Sequence, residues 1–290
     1  MQLLDDVRTR CRAIAMTARF VAIDLDAARE PAEAPPAQLD PEVHYLEGSP
    51  GEVADYLLAL DAINFGSGWF PTLRKRPGRS GYLTVASALT DRARAHGPWN
   101  SAELRALDAA DVAAVLGQEA GHPLMRLYAE ALRDLGRFLG TRSALDLVEQ
   151  AGGSAERLAA SLARGMRFSD DRGFYKRAQI VANDLAMAGL AEFSDLDRLT
   201  IFADNLVPHV LRVDGVLRYD PGLAARIDSG ELVPQGRAEQ EIRACAVHAC
   251  EQLAERTGTP PRLLDVGLWN RGQSPEYKRF PRHRTRSVYY

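Results

Sequence analysis

Cysteine and long apolar runs are both scarce in this sequence. Its 290 residues include three cysteines, Cys11, Cys245 and Cys250. Three is an odd and small number of cysteines, so it supports neither a disulfide framework nor a cysteine-based zinc site. It favours a reducing, cytoplasmic compartment. No apolar run approaches the roughly 18 residues of a membrane helix, and no signal-peptide pattern is present. We therefore expect a chain that neither spans a membrane nor is exported.

An excess of positive charge is also lacking, because 36 Lys and Arg residues stand against 39 Asp and Glu, a net charge of -3. A polymeric nucleic acid needs a positive face, so this balance argues against such a partner but leaves a small anionic ligand open. No pair among the six histidines has H-x-x-x-H spacing, so no local metal site is predicted. The phosphate-binding glycine motifs and the G-x-S-x-G motif are absent as well.

Helical periodicity dominates what is present, and it predicts an all-α fold with few short strands. The predicted helices span 1–29, 51–63, 82–95, 101–117, 122–139, 142–151, 154–164, 175–189, 196–212, 220–228, 237–257 and 260–270. Ser101 and Ser154 are expected as N-caps, and Pro208 is expected to kink or end its helix. Short strands or turns are predicted at 215–219 and in the final S-V-Y-Y. A Pro/Ala-rich linker at 31–41 separates an N-terminal segment, 1–40, from a main domain, 41–290.

Two carboxylates interrupt apolar stretches. Asp204 lies within L-T-I-F-A-D-N-L-V-P-H-V-L, and Asp265 lies within L-L-D-V-G-L-W. A charge in such a stretch is costly to bury unless it is paired. One interpretation is structural, with Asp204 capping a helix and Asp265 paired with Arg243. The other is catalytic, because a desolvated carboxylate can stabilise or attack an oxocarbenium-like transition state.

Three other segments combine aromatic or basic residues in ways that allow two interpretations. The rings of I-N-F-G-S-G-W-F, at 63–70, either stack on a flat heterocycle or fill the core. Lys176, at the start of a predicted helix in F-Y-K-R-A-Q-I-V-A-N-D, either contacts phosphate or is solvated. The tail P-R-H-R-T-R-S-V-Y-Y is cationic, but it ends in residues that prefer to dock.

These five segments and a sixth, in the order given next, resemble motifs of the queuosine salvage proteins, which are queuosine 5′-phosphate N-glycosylases. They are N-F-G-S-G-W-F, F-Y-K-R-A-Q-I-V-A-N-D, L-T-I-F-A-D-N-L-V-P-H-V-L, Q-E-I-R-A-C-A-V-H-A-C-E, L-L-D-V-G-L-W and R-H-R-T-R-S-V-Y-Y, over about residues 44–290. The resemblance implies an all-helical bundle similar to helix-hairpin-helix DNA glycosylases, with 41–290 as the catalytic domain. It also implies hydrolysis of queuosine 5′-monophosphate to queuine and ribose 5-phosphate, with no metal or organic cofactor.

The resemblance also directs the choice of site residues. Asp204 is expected at the sugar C1 atom as nucleophile or electrostatic stabiliser, because queuine has carbon where a purine has a protonatable N7. Asp265 and Glu241 are expected to hold the base edge or its cyclopentenediol arm, with Arg243 as an orienting ion-pair partner. Phe65 and Trp69 are expected to sandwich the base. Lys176 is expected as the phosphate ligand, with His209 and Arg284 as weaker candidates. The other expected substrate-binding residues are Asn205, Glu241, Arg243 and Asp265.

Two other classes of function stay open. A DNA-repair glycosylase on the same fold predicts a basic face, which the acid excess disfavours. A non-catalytic helical module that binds a modified nucleoside would keep its function when Asp204 becomes Asn. For the enzyme we expect a monomer with a small nucleotide substrate, without a membrane or a nucleic-acid polymer as partner.

Overall fold

The computed structural model describes residues 2–29 and 39–290. Most of the predicted Pro/Ala-rich linker therefore lies outside the described residues, and the division of the chain near residue 40 stays a prediction. The prediction of an all-α fold with few strands is confirmed, since the described residues form fourteen α-helices and two strands of three residues each.

The helices follow one another along the chain with short connections. They are α1 (Leu3–Met16), α2 (Pro50–Ala62), α3 (Gly81–His96), α4 (Ser101–Ala106), α5 (Ala109–Leu116), α6 (Pro123–Leu139), α7 (Ala144–Ala151), α8 (Ala155–Gly165), α9 (Lys176–Met187), α10 (Val207–Val213), α11 (Pro221–Asp228), α12 (Arg237–Thr257), α13 (Pro261–Arg271) and α14 (Pro275–Lys278). The strands are β1 (Val21–Ile23) and β2 (Leu217–Tyr219), which pair antiparallel.

Side-chain caps explain where several helices begin. Ser154 caps α8 as predicted, by accepting a hydrogen bond from the backbone N–H of Arg157. The cap of α4 is Asn100 and not the predicted Ser101. The single helix predicted over 101–117 is two helices, because the Asp108 side chain accepts from two backbone N–H groups and starts α5. A capping residue inside a periodic pattern therefore divides one predicted helix into two.

The predicted helix over 1–29 is also too long. It ends at Met16, and Val21–Ile23 form β1 against β2. The turn between them is held by Glu241, whose Oε2 atom accepts hydrogen bonds from the backbone N–H groups of Arg19 and Phe20 at 2.8 and 2.6 Å. Because α1 also packs along α12, the N-terminal segment is part of the same packed structure as the rest of the chain.

The helix predicted over 196–212 is wrong in its first half. Leu196–Arg198 form a single 3₁₀ turn, residues 199–206 are irregular, and α10 begins only at Val207. Pro208 lies in the first turn of α10 and does not kink or end it, because a proline there leaves no hydrogen bond unmade. We call residues 199–206 the aspartate loop.

Long-range contacts from side chains replace helical hydrogen bonds in the aspartate loop. Gln179 Oε1 accepts from the Thr200 N–H at 3.0 Å, and Asp265 Oδ1 accepts from the Phe202 N–H at 2.7 Å. The guanidinium of Arg243 donates to the carbonyl of Ala203 at 2.8 Å. With its backbone groups bound in this way, the loop is fixed in a buried position.

The C-terminal segment, residues 279–290, crosses the molecule without forming a helix or strand, and we call it the tail strap. Its backbone is bound at several points, including the Tyr290 carbonyl by the Gly66 N–H at 3.0 Å and the Arg284 carbonyl by the Val233 N–H at 2.9 Å. A Cβ atom on Gly68 would lie 2.4 Å from the Thr285 carbonyl oxygen, so only glycine lets the two backbones approach this closely.

Candidate active site

A cavity of about 580 Å³ opens where α9, the aspartate loop, α13 and the tail strap meet. Of the residues predicted to form the site, it brings together Phe65, Lys176, Asp204, Asn205, Asp265 and Arg284. Other lining residues lie in segments far apart in the sequence: Asp40, His44, Lys75, Arg79, Tyr82, Asp184, Trp269, Lys278, Arg282 and Tyr290.

One face of α9 forms a wall of the cavity. Lys176, Ile180, Asn183, Asp184 and Met187 all line it, and their spacing of three or four residues places them on one side of a helix. Eight residues of helix rise about 12 Å, so Lys176 and Asp184 stand about that far apart along the helix axis. The wall therefore presents an ammonium at one end and a carboxyl group at the other.

Asp204 and Asp265 are two carboxyl groups in this cavity with different surroundings. Asp204 is partly exposed, and its Oδ1 atom accepts from the N–H groups of Leu206 and Val207 at 2.7 and 3.1 Å. The N-cap of α10 is Leu206 and not the predicted Asp204, although the Asp204 side chain binds these two N–H groups at the start of that helix from a position in the cavity. Asp265 is buried, and its burial first, then the charge of Asp204, raises its pKa to about 8. At neutral pH Asp265 is thus mostly protonated.

Lys176 is almost fully buried within the same wall. Its Nζ atom donates to the carbonyl oxygen and the side-chain Oδ1 of Asn64, at 2.8 and 3.1 Å. Burial lowers its pKa to about 8, and the nearby Asp204 carboxylate acts in the opposite direction. An ammonium in this place adds positive charge beside Asp204.

Aromatic rings line the cavity on two sides. Phe65 belongs to one side, but it is 2% exposed and packs edge-on against Tyr128, with the Arg177 guanidinium 4.8 Å from its ring centre. On the other side, the rings of Tyr82 and Trp269 are perpendicular, with centres 6.0 Å apart, and both are partly exposed. Sequence analysis did not select this pair, although Trp269 stands in one of the quoted motifs.

The tail strap brings two arginines, Arg282 and Arg284, to the cavity, besides the lining residues Lys75, Arg79, Lys176 and Lys278. Arg284 donates to the carbonyl of Gly230 and so already has a partner. Arg282 is only partly exposed, and its side chain makes no hydrogen bond or ion pair with any residue that the structure describes. Sequence analysis noted Arg282 in the cationic tail but did not select it for the site.

Four residues predicted for the site do not line the cavity. Trp69 is buried beneath the tail strap, and His209 is bonded through Nε2 to the carbonyl of Tyr277 at 3.0 Å. Glu241 lies outside the cavity lining, and its carboxylate accepts hydrogen bonds from the Arg19 and Phe20 N–H groups in the turn before β1. Each of these side chains has a structural partner, which a sequence pattern does not reveal.

Arg243 is the fourth predicted residue that does not line the cavity. The ion pair predicted between Arg243 and Asp265 or Glu241 is not formed. Its guanidinium makes two hydrogen bonds to the Asp171 carboxylate, while Asp265 binds the backbone of Phe202. Through the carbonyl of Ala203, Arg243 holds the backbone beside Asp204. It is a positioning residue for the aspartate loop.

Two general features of the described residues complete the description. Within residues 2–29 and 39–290, no three His, Cys, Asp or Glu side chains are arranged to hold a metal ion. Over the same ranges, no helix has the length and apolar character needed to cross a membrane.

A mostly helical chain whose cavity joins carboxyl groups, aromatic rings and arginines has the features of an enzyme that acts on a nucleotide. The model of the family described as queuosine salvage protein matches residues 43–290, and the chain belongs to this family. The match begins close to residue 44, where the resemblance in the sequence motifs begins.

Three relatives, each named queuosine 5′-phosphate N-glycosylase/hydrolase, extend this comparison. A protein of Sphaerobacter thermophilus is 34% identical over an alignment 315 positions long, which covers 98% of this chain and 97% of the relative. One from Nematostella vectensis is 27% identical over 87% of this chain and 85% of its own length. One from Mus musculus is 31% identical over 58% of this chain and 59% of its own length.

Proposed function

We propose that this chain hydrolyses the N-glycosidic bond of queuosine 5′-monophosphate and releases queuine and ribose 5-phosphate. The observation that carries the proposal is a partly exposed Asp204 carboxylate in a cavity of about 580 Å³, with the buried ammonium of Lys176 in the α9 wall of the same cavity. This volume suits a small-molecule substrate. A relative named for this activity aligns over nearly the whole chain, which supports the choice of reaction.

Asp204 acts at the sugar. As the glycosidic bond breaks, positive charge develops at C1 and the ring oxygen, and a fixed carboxylate stabilises that charge or attacks C1 directly. Hydrogen bonds from Leu206 and Val207 hold Asp204 Oδ1 in place, so the carboxylate does not need to reorganise during the reaction. Attack by water at C1 then completes the hydrolysis.

Asp265 assists departure of the base. Queuine has carbon in place of N7, so a proton or hydrogen bond must reach another polar atom of the base. Asp265 is protonated at neutral pH because its burial and the charge of Asp204 raise its pKa to about 8. The two neighbouring carboxyl groups therefore have different roles: Asp204 faces the sugar cation, and protonated Asp265 donates to the leaving base.

The tail strap supplies the contact to the 5′-phosphate. Arg282 is the first candidate because it lines the cavity without an ion-pair partner in the described residues. A guanidinium recognises phosphate through paired N–H donors. Lys176, predicted for this role from the sequence, lies deeper and is bonded to Asn64, which suits a place beside Asp204 and the sugar.

The enzyme acts as a cytoplasmic monomer on a free nucleotide. Three unpaired, buried cysteines are consistent with a reducing compartment. Met16 and Phe280 are the large hydrophobic side chains most exposed among the described residues, and they lie at separate places in the sequence. A net charge of -3 suits a small nucleotide better than a nucleic-acid polymer.

The decisive experiment is incubation of the purified chain with queuosine 5′-monophosphate, with detection of queuine by mass spectrometry. We expect queuine and ribose 5-phosphate in equal amounts from the parent. Asp204→Asn should lower turnover by about 10³-fold or more, the scale of losing a partner to transition-state charge. The fold should persist, because the Asn Oδ1 can still accept from Leu206 and Val207.

The same experiment separates the competing functions. A non-catalytic binder would retain the nucleotide without releasing queuine, and a DNA-repair enzyme would act on duplex DNA and not on the nucleotide. Near-parent turnover in Asp204→Asn would remove Asp204 from the mechanism even if queuine is released.

A further inference from the structure

The end of the cavity opposite Lys176 contains a carboxyl group without a cationic partner. Asp184 is 9% exposed and lines the cavity, and Asn183 Nδ2 donates to its Oδ1 at 3.1 Å. No Lys or Arg side chain of the described residues forms an ion pair with it. A buried carboxylate without a cation is costly, so it is a site for which a positively charged ligand would be favourable.

A second carboxyl group lies behind the first. Asp61 on α2 is fully buried, and neither of its oxygens accepts a hydrogen bond of normal geometry from the described residues. Burial first, and then the charge of Asp184, raises the pKa of Asp61 well above its usual value. Burial raises the pKa of Asp184 to about 6, while the hydrogen bond from Asn183 and the more distant charge of Lys176 act in the opposite direction. Burial therefore favours the neutral form of Asp61, and Asp184 is the member of the pair that presents negative charge to the cavity at neutral pH.

The Tyr82–Trp269 ring pair lies close to this charge. Both rings line the same cavity, and their perpendicular arrangement presents a face and an edge at a corner. The charge of Asp184, after burial, contributes to raising the pKa of Tyr82, so the two groups are within electrostatic reach. A carboxylate beside perpendicular aromatic rings is the chemistry that recognises an ammonium group.

We propose that Asp184, Tyr82 and Trp269 form an ammonium subsite that selects the alkylammonium group on the 7-substituent of the base. This inference rests on the proposed function and adds a determinant of specificity to it. Queuine carries at C7 an aminomethyl arm, extended by the cyclopentenediol, whose secondary amine is positively charged at neutral pH. The subsite distinguishes this arm from neutral substituents on the same ring.

The test compares two free bases that share a ring and differ in charge at the arm. They are 7-aminomethyl-7-deazaguanine, which carries an ammonium, and 7-cyano-7-deazaguanine, which is neutral. Each is measured as a competitive inhibitor of queuosine 5′-monophosphate hydrolysis, so the phosphate contact does not enter the comparison. We expect the parent to bind the ammonium base about ten-fold more tightly or better, the scale of a charge-assisted contact.

Asp184→Asn should abolish this preference and leave the inhibition constant of the nitrile within about two-fold. Trp269→Leu, at a partly exposed position, should reduce the same ratio and provides a second variant in case the buried Asp184 change impairs folding. Asp55→Asn is the matched control, because Asp55 lies on the same helix as Asp61, outside the cavity lining, and Asn can still accept from Ala144 N–H. It should keep the parent ratio.

Several outcomes would overturn the subsite. They are equal inhibition of the parent by the two bases, inhibition by neither, or an unchanged ratio in folded Asp184→Asn and Trp269→Leu. A parent that releases no queuine from queuosine 5′-monophosphate would instead contradict the proposed function, so the two failures are distinguishable.

Discussion

Asp204 and Asp265 illustrate how burial sets the role of single residues. Both are aspartates in apolar sequence, yet Asp204 is partly exposed at the start of a helix and Asp265 is enclosed. Burial and the neighbouring Asp204 charge raise the pKa of Asp265 to about 8, and burial lowers the pKa of Lys176 to a similar value. The proposed mechanism uses both of these groups in their protonated forms.

The dependence of kcat/KM on pH should therefore fall above about pH 8, where Asp265 and Lys176 both lose a proton. With two protons required, the limiting slope of log kcat/KM against pH should be about −2. Asp265→Asn and Lys176→Arg should each reduce this slope to about −1, because each leaves a single group to titrate. A parent profile that stays flat up to pH 9 would show that neither proton is needed.

Arg282 should determine the preference for the nucleotide over the nucleoside. We expect Arg282→Ala to lower kcat/KM for queuosine 5′-monophosphate by about ten-fold or more, and to leave activity on queuosine nearly unchanged. Arg286→Ala is the matched control, since Arg286 belongs to the same strap but is exposed and outside the cavity lining. If Lys176→Ala and not Arg282→Ala removes the preference, the phosphate contact is the one predicted from the sequence.

At the scale of elements, the tail strap and the glycine-containing segment at 63–70 depend on each other. Gly68 faces the backbone of Thr285, and the N–H of Gly66 binds the carbonyl of Tyr290. The strap carries Arg282, Arg284 and Tyr290 into the cavity. The two glycines of G-S-G therefore serve close backbone packing, and the segment contributes Phe65 but not Trp69 to the cavity.

Gly68→Ala should displace the strap, because the new Cβ would lie 2.4 Å from the Thr285 carbonyl oxygen. We expect a loss of about 1–3 kcal/mol in the free energy of unfolding, as for overpacked sites, with a fall in kcat/KM. Thermal unfolding and the queuine assay measure the two effects. Gly51→Ala is the control, since no atom lies within 4 Å of a Cβ there and stability should be kept or increased. Equal behaviour of the two variants would contradict the dependence.

The same elements show how far sequence reasoning reaches. Helix α12 was predicted with its observed bounds of 237–257, because its periodic pattern is uninterrupted. The aspartate loop was predicted as helix because Leu199, Ile201 and Phe202 continue an apolar pattern. Their backbone groups are instead bound by side chains distant in sequence, such as Gln179. No local pattern contains that information.

The candidate site has the same limit. Asp204 and Asp265 could be selected because a charge in an apolar stretch is visible in the sequence, and Lys176 because it stands at the start of a predicted helix within a family motif. Glu241 was selected through the family resemblance, but it binds the backbone of the turn before β1 and does not reach the cavity. Tyr82 could not be selected, because its relation to Trp269 exists only in three dimensions.

At the scale of the whole molecule, the buried ionisable groups make stability depend on pH. An unfolded Asp has a pKa near 3.9, whereas burial raises the pKa of Asp265 to about 8 and that of Asp61 well above its usual value. The folded chain thus keeps protons that the unfolded chain has released, and stability falls as pH rises through this window. Burial lowers the pKa of His209 to about 4 and that of His283 to about 3. Below about pH 6.5 the unfolded chain therefore binds protons that these folded histidines do not, and their contribution makes stability rise with pH.

Above about pH 7 the histidines of the unfolded chain are mostly neutral, so between about pH 7 and 8 the carboxyl groups should dominate. Near pH 8 they are opposed in part by Lys176, whose lowered pKa lets the folded chain lose a proton that the unfolded chain keeps. We expect the melting temperature to fall across this interval, with each carboxyl contributing up to about 1.4 kcal/mol per pH unit. Asp61→Asn should melt at a higher temperature than the parent at pH 8 and show a shallower decline. Parallel curves for parent and variant would show that Asp61 is not a buried, proton-retaining group.

The bond between Gly66 and Tyr290 also has a consequence for how a ribosome makes this protein. Residue 66 leaves the ribosome 224 residues before residue 290, which at about 5–20 residues per second is a delay of about 11–45 s. During that time the nascent chain has no Arg282 or Tyr290, and Gly68 has no strap to pack against. Activity should therefore arise only after synthesis reaches the end of the strap, and a nascent chain that stops before residue 279 should be inactive even when Asp204 and Lys176 have already emerged.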